Sequence, residues 1–170
     1  MKEVFFTGKC DGIGISHVAR DCDLTETIGF YKNEYQIYYI LDGERFFYQG
    51  SKSYRMDRGT LTFIDKRQIP FTNVIGGKYH ERILIEVDEK WLVSMGKAME
   101  LDLIGFFANY HGVYRLEGKH LAAVEKKLKK MEEVMGQKRA FASAEVKNLL
   151  ISIIISMLLS LIHISEPTRP

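Results

Sequence analysis

The chain has 170 residues, 46% of them hydrophobic, which suits one folded domain with a real core and argues against a disordered segment. Its 24 basic and 22 acidic residues leave a net charge of +2, so no charge excess points to nucleic acid binding by this segment. The two cysteines, Cys10 and Cys22, have no metal or redox spacing, and the opening MKEVFFTGKCDG has too short an apolar run for a secretory leader; a cytoplasmic setting is the expectation.

Up to about Val87 the sequence reads as β-structure, in short aromatic and β-branched runs separated by turn residues. YQIYYIL precedes Asp42-Gly43, a hairpin signal. ERFFYQG and SYRM follow, then Asp57-Arg58-Gly59 as a turn, TLTFID, a loop broken by Pro70, a Gly76-Gly77 turn and YHERILIEV. Turns at roughly 8–12-residue spacing predict a sandwich or barrel.

The pattern changes after Asp88. DEKWLVSMGKAM predicts a short helix with acidic residues at its start. VYRL, residues 113–116, reads as a last short strand, and HLAAVEKKLKKMEEVM as a helix. That helix repeats apolar residues at Leu121, Val124, Leu128, Met131 and Met135, steps of 3 and 4 that form a heptad seam. Leu121, Val124, Leu128 and Met131 therefore need cover, from the barrel or from a second copy of the chain. The alternating Lys and Glu of the same helix form a solvated face.

The stretch from Ala144 to about Leu161 is the most hydrophobic. At 100° per residue Glu145, Ser152, Ser156 and Ser160 fall on one narrow side, with Val146, Leu149, Leu150, Ile153, Ile154, Met157 and Leu158 opposite. The apolar run is shorter than the about 20 residues of a membrane span, and the polar stripe predicts a packed helix with no membrane. The closing LIHISEPTRP resembles a peptide that recurs at the broken ends of unrelated metagenome-derived chains, and residues 161–170 are expected to be an artefactual tail.

The stretch EYQIYYILDGERFFYQGSKSYRMDRGTLTFIDKRQIPF, followed by YHERILI, VYRL and two helices, resembles the sensor region of AraC-type transcription regulators. The resemblance implies a mainly β fold, a cupin-like β-barrel or jelly roll followed by two or three α-helices. It places the sensor barrel at residues 1–112, with a short helix near 89–98, and a helical dimerisation and linker region at 113–160. The implied function is small-molecule sensing and homodimerisation in a bacterial regulator whose DNA contacts lie in a C-terminal helix-turn-helix domain outside this chain. The alternatives are a stand-alone cupin enzyme or ligand-binding protein, and a sensor tethered to a membrane through 149–164.

Enzymatic cupins hold a divalent metal through histidines and a glutamate. On the resemblance, the matching positions here are Phe30, Lys32, Gln36 and Pro70, a set that lacks ligands, so no metal, no cofactor and no enzymatic activity are expected. There is no Gly-x-Ser-x-Gly and no phosphate loop, and the five histidines show no metal spacing.

Carried over by position, the ligand contacts implied by the resemblance are Lys32, Gln36, Tyr38, Thr72, His80 and Arg82. Lys32 and Arg82 only donate hydrogen bonds, which would favour an anionic or polyhydroxyl effector. On YHERILIEV the period of two leaves two readings: isoleucines inward with His80 and Arg82 in water, or the reverse.

Overall fold

The computed structural model describes residues 2–21, 26–27, 34–67, 71–73, 79–110, 112–137 and 139–165, with backbone only at 26–27, 71–73 and 162–165. Phe30, Lys32, Pro70 and the Gly76-Gly77 turn lie outside the described residues. The chain falls into two compact units, residues 1–113 and 114–170.

The first unit holds strands β1 (Lys2–Cys10), β2 (Ile13–Arg20), β3 (Glu26–Thr27), β4 (Glu34–Gln49), β5 (Lys52–Asp57), β6 (Thr60–Ile64), β7 (Phe71–Asn73) and β8 (His80–Asp88), then helices α1 (Glu89–Met99) and α2 (Leu103–Asn109). All pairings are antiparallel. One sheet runs β1-β2-β8-β4-β6, and a second is made of β3, β7, the far half of β4, and β5.

Strand β4 belongs to both sheets. Its first half pairs with β8 and β6, and its second half with β5 and β7. The crossing is a bulge between Ile40 and Asp42, followed by Gly43 at φ 78°. Asp42-Gly43 therefore closes no hairpin, contrary to the sequence expectation. Gly43 permits a corner instead: a Cβ there would sit 2.0 Å from the Tyr79 carbonyl oxygen, so only glycine lets β4 pass the start of β8. The tight turn lies later, at Gly50-Ser51, where Gln49 pairs with Lys52. The Asp57-Arg58-Gly59 turn forms as expected and carries the chain from the second sheet back to the first.

The two faces of the first sheet are both buried but differ in cover. Ile83, Ile85 and Val87 share a face with Ile13 and Ile15 of β2, Tyr35, Ile37 and Tyr39 of β4, and Leu61 and Phe63 of β6. That face lies under α2. Tyr35 meets Phe107 at 5.2 Å between ring centroids, and Phe63 meets Phe106 at 4.6 Å and Phe107 at 5.6 Å. Fully burying each such ring contributes roughly 1.5–3 kcal/mol. Helix α1 follows β8 directly, as the sequence predicts, and Asp88 caps it by accepting from Trp91 N at 2.8 Å. Helix α2 is additional to the sequence reading; its signals are the Asp102 cap on Gly105 N and the spacing of Leu103, Phe106 and Phe107.

After β6 the chain turns on Asp65. Its Oδ1 accepts from Arg67 N at 2.8 Å and Arg67 Nε at 2.9 Å, and its Oδ2 from Arg67 Nη2 at 2.6 Å. The Arg67 side-chain bond is the main cause holding this carboxyl below the usual carboxylate range. A depressed folded-state pKa contributes stability above the unfolded value, and that contribution is lost as pH falls through the folded one. Asp65→Asn is expected to lower stability by about 1 kcal/mol at pH 7. In urea titrations the deficit shrinks as pH falls through the depressed pKa of the Asp65 carboxyl, where the wild type is also protonated.

The second unit holds β9 (Tyr114–Arg115), α3 (Gly118–Met135) and α4 (Ala142–Ser165). Val124, Leu128 and Met131 are buried within the single chain, and Leu121 is half-buried. A second copy is thus not needed to cover three of these four seam residues. On α4, Val146, Leu150, Ile153, Ile154 and Met157 are fully buried. The serine stripe meets α3: Lys127 Nζ donates to Ser156 Oγ at 2.8 Å and to the Ser152 carbonyl at 3.3 Å.

The expectation that α4 is too short for a membrane span does not hold. The helix runs 24 residues, and its stretch Ala142–Leu161 is long and apolar enough to cross by length and composition. About 44% of that apolar stretch is buried inside the chain. The helix also continues past residue 160 into the segment expected to be artefactual.

Candidate ligand site

The other face of the first sheet points at the second sheet. Tyr38 and Ile40 of β4, Leu84 of β8 and Ile64 of β6 form one buried cluster with Phe47 of the far half of β4 and Met56 of β5. Since that cluster joins residues of both sheets, this face lies between them. By the period of two, His80 and Arg82 share it with Leu84. Of the two sequence readings, the one that places the isoleucines under helices and His80 and Arg82 inside is the structural one.

Cross-strand register then gathers cations. Arg82 pairs with Ile40 and Val18, and His80 pairs with Gly43 and Arg20. The Arg82 guanidinium carbon lies 5.5 Å from the centroid of the Tyr38 ring. This cation–π contact sets the orientation of the guanidinium. Arg82 is 8% exposed, yet its Nε and Nη1 and the Tyr38 hydroxyl are buried without a hydrogen-bond partner among the described residues. Arg45 enters from β4 just past the corner, fully buried, with Nη1 2.6 Å from His80 Nε2.

A buried guanidinium with unmet donors is costly, because desolvation of a charge is recovered only through acceptors. What the arrangement can do chemically is accept an anion. Its hydrogen-bonding groups are donors, except for the Tyr38 hydroxyl and the His80 ring, which can act either way. Its walls are Ile40, Phe47, Met56, Ile64 and Leu84, which suit an apolar body.

Three of the six expected contacts, Tyr38, His80 and Arg82, thus lie on one inward face. Gln36 is on the same face but at its far end, where its Nε2 donates to Glu86 Oε1 at 3.2 Å. Thr72 is placed by its backbone only, opposite Phe47 in the ladder between β7 and β4. Lys32 lies outside the described residues. Two residues that the sequence reading missed belong here, Arg45 and Arg20. The available signal was an arginine within ERFFYQ and another closing ISHVAR, each beside apolar residues of a strand.

Outside this face, a surface pocket of about 190 Å³ is lined by Glu3, Ala19, Arg20, Asp21 and Tyr79. Arg20 lines it and is the register partner of His80, so the pocket adjoins the cationic end of the inward face. Desolvation, and then the bond its hydroxyl donates to Glu81 Oε2 at 3.0 Å, push the Tyr79 phenol up to about 12. Among the described residues no group of three or more His, Cys, Asp or Glu side chains is placed to hold a metal ion.

No protein-family model matches the sequence, and no curated protein matches it. Solved structures do share the fold. The AraC-like transcriptional activator CuxR aligns with a TM-score of 0.63 at 12% identity, over 99% of this chain and 57% of that one. ToxT from Vibrio cholerae O395 aligns with a TM-score of 0.54 at 12% identity, over 84% of this chain and 54% of that one. ToxT bound to (E)-4-(8-methylnaphthalen-1-yl)but-3-enoic acid gives 0.57 at 12% identity, over 88% and 56%. This chain spans little more than half the length of these proteins.

Proposed function

We propose that this chain is the effector-sensing and dimerisation region of a bacterial, cytoplasmic transcription regulator of AraC type, which reaches DNA through a C-terminal helix-turn-helix domain. The observation that carries the reading is Arg82: a buried cation with donors unmet among the described residues, facing the space between two sheets, in a fold shared with AraC-like regulators. The effector is a small organic anion with an apolar body. Arg82 and Arg45 supply its counter-charge, Tyr38 a hydroxyl contact, and the Ile40–Phe47–Met56 walls its apolar cover. The acid held by ToxT has that chemistry, a carboxylate on an apolar frame.

Binding acts as a switch only through differential affinity for two arrangements of the protein. Homodimerisation then uses the exposed side of the helix pair, where Leu159 is half-exposed, because Val124, Leu128 and Met131 of the seam are already covered.

The test is calorimetric titration with 4-phenylbutanoate, its amide, an acidic sugar and a neutral sugar. Heat from the carboxylate and none from the amide is the expected result. Silence from every anion, or equal binding of acid and amide, would sink the proposal. Sedimentation of the same sample reports the dimer. Sequencing the source DNA past the Ser160 codon by an adapter-free method reports the helix-turn-helix patterns.

A further inference from the structure

We propose that residues 112–113 are a movable strap on one side of the effector space, which an arriving effector displaces, passing the binding event to the chain beyond. This rests on the effector reading above and names the regulatory output of the same site.

Gly112 is buried, and side chains from both sheets hold its backbone. Thr62 Oγ1, on β6 of the first sheet, donates to the Gly112 carbonyl at 2.7 Å. Gly112 N donates to Oε1 of Gln49, the last residue of β4 in the second sheet, at 3.2 Å. Tyr54 of β5 lies alongside: a Cβ on Gly112 would meet its Cε1 and hydroxyl oxygen at 3.4 Å. The backbone there is at φ 98°, which glycine adopts without strain.

The strap meets the site at two points. Val113 packs, half-buried, against the cluster of Tyr38, Ile40, Phe47, Met56, Ile64 and Leu84, and Tyr54 does the same. Thr62 stands directly opposite Tyr38 in the ladder between β4 and β6, so its side chain shares the inward face. The Tyr38 ring in turn carries the Arg82 guanidinium. The anchoring hydrogen bond is thus one strand away from the ring that orients the cation.

No residue of the cluster is more than 8% exposed, so an apolar body enters only if part of this packing yields. The strands are held by backbone ladders. Gly112 is held by two side-chain hydrogen bonds, and Val113 by partial burial, which makes the strap the part that moves at least cost. Val113 is the last residue of the first unit, and Tyr114 opens the second. Helix α3 follows at Gly118, φ 53°, and its N-cap residue Glu117 makes no side-chain cap bond. Two left-handed glycines therefore bracket residues 113–117, where a backbone change is readily absorbed.

The Thr62–Gly112 bond stabilises the closed strap, and the effector binds the displaced one. Weakening that bond must then tighten binding. The full chain is titrated with 4-phenylbutanoate, and hydrogen exchange of residues 110–121 is followed by mass spectrometry with and without it. Exchange in this segment is expected to speed up several-fold on binding, while that of β8 does not. Thr62→Val keeps the shape and loses the bond. It is expected to bind about 2–10-fold more tightly and to exchange fast over 110–121 before any effector is added. Thr62→Ser keeps the hydroxyl and is expected to restore wild-type affinity and response. The wild-type exchange decides the matter even where Thr62→Val folds poorly.

Binding that leaves exchange over 110–121 unchanged or slower, a Thr62→Val protein that binds no more tightly, or a Thr62→Ser protein that behaves like it would overturn the proposal and leave the effector reading standing. No binding of any anion would overturn both.

Discussion

Replacing Arg82 with methionine is expected to raise the melting temperature and sharply weaken organic-anion binding. The guanidinium is more than nine-tenths buried and two of its nitrogens find no acceptor among the described residues, so the folded state carries a desolvation cost that these residues do not offset. Methionine fills a comparable volume without it. Exchanging buried charges for apolar residues of similar size is often stabilising by about 1–4 kcal/mol, against which stands the loss of a cation–π contact of about 0.5–2 kcal/mol. The net gain expected is about 1–2 kcal/mol, or roughly 2–8 °C for a chain of this size. Binding moves the other way. A charge-assisted contact contributes about 1.5–3 kcal/mol, so affinity for 4-phenylbutanoate falls by roughly 10–150-fold. Scanning calorimetry and titration of the two proteins decide the matter. A variant that is less stable and binds as before would show that Arg82 is held for structure and not for a ligand.

Gly43→Val is expected to be the most damaging single change at a site with no apolar side chain. A Cβ at this position would meet the Tyr79 oxygen at 2.0 Å and His80 Cα at 2.7 Å, and the backbone lies at φ 78°. Both contacts are backbone, so no side chain can swing away, and a β-branched residue adds strain in the left-handed region. The combined cost is on the order of 3–5 kcal/mol, a large share of the stability of an ordinary domain. Gly50→Ala is the control: its φ of 59° is also left-handed, yet a Cβ there meets nothing within 4 Å. That change is expected to lower stability by about 1–2 kcal/mol. Urea midpoints that fall equally for the two variants would refute the corner argument.

The bulge next to Gly43 also explains what could be read from the sequence and what could not. The apolar runs, the Asp57–Gly59 turn, the Asp88 cap and both long helices are local signals, and each is found where local chemistry put it. The inward face is not local. Tyr38 and Ile40 point between the sheets, and strict alternation from them would carry Glu44 and Phe46 inward. The extra residue at the bulge inverts the parity, so Arg45 and Phe47 point in instead. No period analysis of YQIYYILDGERFFYQ recovers that inversion. On β8 the difficulty was different: both faces are buried, and an alternation of apolar with charged residues says only that they differ. The short helix α2, whose Phe106 and Phe107 cover the isoleucine face, settles which is which. The seam on α3 was legible as apolar, but its partner was not.

The order of the first sheet has a consequence for synthesis. Strand β8 lies between β2 and β4, yet it is made after both; Arg20 waits for His80, 60 residues later in the chain (80 − 20). At about 5–20 residues per second, the β1–β2 hairpin leaves the ribosome several seconds before its neighbour exists. During that interval the edges of β2 and β4 that β8 will fill are open, with Ile13, Ile15, Tyr35 and Ile37 uncovered. The first unit cannot assemble strand by strand from its N-terminus. It closes in one late event, when the strand carrying His80 and Arg82 slots into the centre and brings the cationic end of the ligand site together.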